Sequence, residues 1–68
     1  MTKPMKYIAL ARLLTQAGFT RRQGKGDHEV WRNGNIVVVI THTKLVSPKV
    51  TKDALKAIER SREWHNSR

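Results

Sequence analysis

A chain of 68 residues has room for one hydrophobic core, which excludes a catalytic domain set beside a separate binding domain. Lys and Arg number 14 against 5 Asp and Glu, a formal charge of +9 that directs association toward polyanions: nucleic acid, an acidic protein or an anionic membrane surface. Cysteine is absent, so disulfide and thiolate-metal scaffolds are excluded, the apolar core holds the domain alone, and a reducing compartment fits.

Over residues 7–17 the apolar side chains Leu10, Leu13, Leu14 and Ala17 recur at helical spacing, with Tyr7 one turn earlier and Arg12 and Gln16 opposite. This predicts an amphipathic helix. Gly18 follows the last periodic residue, where a C-terminal cap needs a positive φ. Residues 19–23 read as a first strand, and Gly24, Lys25 and Gly26 as a tight loop. Residues 28–32 and 36–41 flank Asn33-Gly34-Asn35, a strong short signal for a hairpin with a type I′ turn. Ile36-Val37-Val38-Val39-Ile40 is apolar at every position, which predicts a central strand or one whose outer face is covered as well.

After Ser47-Pro48, the residues Val50, Ala54, Ala57, Ile58 and Ser61 form a second helical stripe, with Leu55 on its flank and Lys52, Lys56, Glu59, Arg60 and Glu63 opposite. Ser47 and Thr51 are both candidate N-caps. The order predicts an α+β fold, α-β-β-β-α, in which two helices cover one face of a three-stranded antiparallel sheet and the other face stays open. A single domain fills residues 1–68, with 1–6 as a frayed end and 61–68 either extending the second helix by a turn or fraying; Trp64 lies at the edge of the second stripe and His65 in the tail. The longest apolar run is far too short to span a bilayer and the N-terminus lacks a signal peptide's apolar core, so no membrane partner and a cytoplasmic location are expected.

Nucleotide-binding glycine fingerprints, paired cysteines, a His-Glu-x-x-His step and a glycine-flanked nucleophilic Ser are all missing. What stands out is a glycine-rich basic turn that delivers a histidine onto a strand, Gly24-Lys25-Gly26-Asp27-His28. Side chains alternate along a strand, and Trp31 has the larger apolar area to bury. Facing Trp31 toward the helices places His28 and Arg32 on the open face, and Glu29 on the covered side at the rim, within reach of water. Asp27, His28 and Glu29 alternate in direction and cannot converge on one ion, so no metal and no cofactor is expected. Arg21, Arg22 and Lys25 read either as phosphate contacts or as a solvated edge that guards the first strand against pairing. His42 reads as a solubilising residue at a strand end.

The Ala17-Gly18-Phe19 helix end, the Gly26-x-His28 step with an aromatic at Trp31, the Val-rich strand ending Ile40-Thr41-His42, and the Leu55-x-x-Ile58 helix together resemble the HicA toxins, the mRNA interferases of HicAB toxin-antitoxin systems. The resemblance covers residues 7–58. It implies a fold like the double-stranded-RNA-binding domain and a metal-independent endoribonuclease that cuts mRNA and inhibits translation. It also implies neutralisation by a HicB-like antitoxin, the toxin being a monomer when free and part of a hetero-oligomer when bound. The family's catalytic histidine falls on His28. Where the family has Ser and often a second His beside it, this chain has Asp27 and Glu29, two carboxylates expected to favour the protonated imidazole and to repel phosphate.

RNA cleavage by 2′-hydroxyl attack needs a base, cations at the phosphate and an acid for the leaving oxygen. His28 supplies the base; Arg21, Arg22, Lys25 and Arg32 are the candidate phosphate ligands, on a loop shaped by Gly24 and Gly26. The acid is open between His42, a lysine and water. The competing reading is a non-catalytic RNA-binding module of the same fold.

Overall fold

The computed structural model describes the backbone of residues 3–66 and the side chains of residues 3–63. In chain order its elements are β1 (Met5–Lys6), α1 (Tyr7–Gln16), β2 (Thr20–Gln23), β3 (His28–Asn33), β4 (Ile36–Thr41), β5 (Leu45–Val46) and α2 (Pro48–Asn66). The periodic stripe of α1 puts Leu10 and Leu14 wholly inside, with Tyr7, Leu13 and Ala17 packed at its margins. The helix stops as glycine dictates: Gly18, at φ +91°, donates its N–H to the Thr15 carbonyl, and Phe19 donates to that of Leu14, a Schellman pattern.

The main sheet is antiparallel, with strand order β2-β3-β4. β3 is therefore central and β4 an edge, which corrects the first alternative for the all-apolar strand, a central place in the sheet. The reason is connectivity: successive strands pair as hairpins, and the later strand β5 pairs with β1, not with β4. Val38 and Ile40 point into the core, while Val37 and Val39 keep 48% and 49% exposure on the open face. Their β-branched side chains suit a pleated strand whether or not they are buried.

Asn33 pairs with Ile36, so the hairpin loop is Gly34-Asn35. Gly34 has φ +60° and Asn35 has no positive φ, the pattern of a type II′ turn in place of the expected I′. Asn33 thus ends the strand and its side chain works elsewhere: Nδ2 donates to the Ala17 carbonyl at 3.0 Å and to Ser61 Oγ at 2.8 Å, tying the hairpin to both helices. Gly34→Ala puts a Cβ in the left-handed region and should lower stability by about 1–2 kcal/mol, read as a lower urea midpoint at unchanged slope.

Ser47 caps α2, its Oγ accepting the Val50 N–H at 3.4 Å, with Pro48 at the first helical position. Thr51, the other candidate, is buried one turn in and donates its hydroxyl to the Val46 carbonyl at 3.2 Å. Ala54, Ala57, Ile58 and Ser61 bury the α2 stripe against Trp31, Val38, Ile40 and the α1 leucines. The fraying expected over residues 1–6 is corrected at Met5 and Lys6, which pair with Val46 and Leu45, while α2 continues past the buried Ser61 to Asn66, the helical alternative for the tail. The side chains of Trp64 and His65 lie outside the described residues. The architecture is α+β, α-β-β-β-α, with both helices on one face of the three-stranded sheet. No helix among the described residues is long and apolar enough to cross a membrane.

Candidate active site and nucleic-acid interface

Residues paired across antiparallel strands share a face. The pairs His28–Thr41, Val30–Val39, Arg32–Val37 and Arg22–Val30 therefore define the open face, opposite the buried Glu29, Trp31, Val38 and Ile40. His28, Arg22 and Arg32 are exposed there around the apolar centre of Val30, Val37 and Val39. Arg22, opposite Val30, stands diagonal to both His28 and Arg32, a neighbour spacing of about 7–8 Å in such a lattice. The side assigned to Trp31 by parity, and with it the side of His28 and Arg32, agrees with the structure.

The turn before β3 is folded back onto the histidine's own backbone. Gly24 donates its N–H to the His28 carbonyl at 2.9 Å, and His28 donates to the carbonyl of Lys25 at 3.2 Å. A Cβ on Gly24 would stand 2.9 Å from that same carbonyl oxygen, so this close approach needs glycine. Lys25 is exposed in the turn beside His28, and Gly26 takes the bend at φ +63°. Of the five carboxylates, Asp53, Glu59 and Glu63 belong to α2 and Glu29 lies under the sheet, which leaves Asp27 in the turn as the one near the open face. The result is a cationic surface with an apolar middle and an accessible imidazole.

Arg21 is not part of it. Its register partner is Trp31, so it lies on the helix side, where Nη1 donates to Glu29 Oε2 at 3.0 Å. Glu29 departs from the sequence reading too: it is 4% exposed, not at a wet rim. A buried charge is tolerated only with partners. Glu29 has three: the Tyr7 hydroxyl donates to Oε1, while Arg21 and His42 Nδ1, the latter at 3.1 Å, share Oε2. The His42 ring also stacks on Tyr7, centroids 4.1 Å apart and 13° from parallel. His42 is therefore a fixed member of this cluster and more than a strand-end solubilising group, although its side chain is 55% exposed.

The cluster shifts its members' titrations. Burial, the Glu29 hydrogen bond and the Glu29 charge together raise the Tyr7 hydroxyl above its usual value. At Glu29 burial pushes upward, but hydrogen bonds from Tyr7 and Arg21 and the charges of His42 and Arg21 outweigh it and hold the carboxyl below the usual range. The expectation that both carboxylates flanking His28 act on it fails for Glu29, because adjacent strand residues point to opposite faces. Among the described residues no three His, Asp or Glu side chains come together as a metal site would require.

The constellation Tyr7, Glu29 and His42 escaped the sequence reading. Its signal was present: parity had already put an acid on the covered face, where it demands donors. No family model, no curated protein and no solved structure matches this chain.

Proposed function

We propose that this chain is a HicA-like endoribonuclease that cuts mRNA by 2′-hydroxyl attack and so inhibits translation. The observation that carries the reading is His28: an exposed imidazole at the start of the central strand, on the cationic face, with Glu29 committed to the opposite side. His28 takes the 2′-hydroxyl proton, the 2′-oxygen bonds to the adjacent phosphorus, and the bond from phosphorus to the 5′-oxygen breaks. The fragments carry a 2′,3′-cyclic phosphate and, once the leaving oxygen takes a proton from water or a lysine, a 5′-hydroxyl. Arg22, Arg32 and Lys25 hold the phosphate oxygens and stabilise the charge that develops there. Arg21, bound to Glu29, leaves the set.

The surface suits RNA as partner and an acidic, HicB-like antitoxin as inhibitor, since one negatively charged cover blocks the imidazole and cancels the attracting field. The cytoplasm is the matching location. RNA and DNA of one sequence, each incubated with the protein in EDTA, test the reading: RNA is cut and DNA survives for want of the attacking hydroxyl. RNA that binds with a steep salt dependence yet is recovered intact assigns the non-catalytic binding module.

One observation favours a second choice of base. Glu29 Oε2 lies 3.1 Å from His42 Nδ1, an ion-pair contact that sets a carboxylate beside a half-exposed imidazole. Separate alanine substitutions at His28 and His42 decide between them.

A further inference from the structure

The two edges of the main sheet are unlike. β2 carries Arg21 and Arg22, charges that discourage strand addition. β4 has none of the usual guards: its six residues include no Pro and no charge, and they pair with β3 one for one without a bulge. Asn33–Ile36 closes the hairpin, so the alternation of an antiparallel ladder turns the N–H and C=O groups of Val37 and Val39 outward. No strand among the described residues receives them. Next to this edge lies an open groove of about 430 Å³ between β4 and α2, and on its helix side Lys56 and Arg60 project one turn apart, with Asp53 and Ala57.

We propose that the β4 edge is a docking site for an extended strand of a partner protein in which apolar and acidic residues alternate. Added antiparallel or parallel, such a strand satisfies the outward backbone groups of Val37 and Val39. Its apolar side chains then stand beside Val37 and Val39 on the open face, continuing their half-exposed apolar surface. The intervening side chains fall on the helix side, against Lys56 and Arg60, two cations to the single carboxylate of Asp53, where acids fit better than bases. A second copy of the chain is the poorer occupant, since it brings another +9 to the same edge.

The test is a short peptide alternating valine and glutamate, its valine–lysine counterpart, and amide hydrogen exchange followed by NMR on the full chain. The acidic peptide should protect the Val37 and Val39 amides about tenfold or more and bind at least about tenfold tighter than the basic one. Val39→Pro deletes an outward N–H and spares the β3 ladder, and should weaken binding about tenfold. The double variant Lys56→Glu, Arg60→Glu should weaken it about fivefold without unfolding the chain, as both residues are exposed. Three results overturn the proposal: amides left unprotected at about 1 mM peptide, equal binding of the basic peptide, or a dimer in sedimentation that protects the same amides without peptide. RNA cleavage does not enter these readouts, so this site and the ribonuclease reading stand or fall separately.

Discussion

His28→Ala is expected to slow RNA cleavage by about 10²- to 10⁴-fold, the usual contribution of a positioned general base, while RNA still binds with its salt dependence intact. The separation follows from where the ring sits. His28 is exposed, its cross-strand neighbour Thr41 is half-buried, and its backbone bonds to Gly24 and Lys25 do not involve the imidazole. Truncating it removes the base and leaves the core and the Arg22 and Arg32 cations in place. His42→Ala is expected to do the reverse, keeping cleavage within a few-fold and lowering stability, because it withdraws an ion-pair partner of the buried Glu29 and the ring stacked on Tyr7. If the His28 variant cuts as fast as the parent, the assignment fails; if only the His42 variant loses activity, the base is His42.

Glu29→Ala should cost about 1–2 kcal/mol, mainly for the partly buried Tyr7 hydroxyl left unpaired, a large share of what a domain of this size holds in reserve. Removing the carboxylate strands the Tyr7 hydroxyl, frees the Arg21 guanidinium and leaves His42 without its anchor, at a position 4% exposed. The same cluster predicts a pH response with a definite sign. Glu29 titrates lower in the folded chain than in the unfolded one, so its stabilisation is present above the unfolded carboxyl's pKa and drains away as pH falls toward the folded value. Tyr7 titrates higher when folded, so its contribution is complete below the ordinary phenol pKa and is lost as pH rises through the folded one. Urea midpoints measured from neutral pH down into the acid range should therefore fall for the parent, and fall less for Glu29→Gln. Parallel curves for the two would show that Glu29 is not responsible.

The parts of the fold written in local pattern were legible. The α1 and α2 stripes, the Gly18 stop and the hairpin follow from spacing and glycine chemistry within a few residues. Parity alone placed Trp31 inside and His28 outside. What sequence could not supply were choices made across distance. Whether Ile36–Thr41 is central depends on which strand lies beyond it, and its uniform apolarity fits either place. The short β1 and β5 ladder joins residues some forty positions apart with no pattern in either segment. In the same way Arg21 looked like a phosphate ligand because its charge was visible and its partner was not; only the register with Trp31 turns it toward Glu29. His42 could be named as a candidate from its chemistry, but its place beside Tyr7 and Glu29 has no local cue.

The masses of the RNA fragments decide whether a ribose hydroxyl is the nucleophile. The account predicts a 2′,3′-cyclic phosphate, or the monophosphate it hydrolyses to, on one fragment and a 5′-hydroxyl on the other, and neither product from the His28→Ala protein. Fragments ending in 3′-hydroxyl and 5′-phosphate, or RNA left whole by the parent chain, would contradict it.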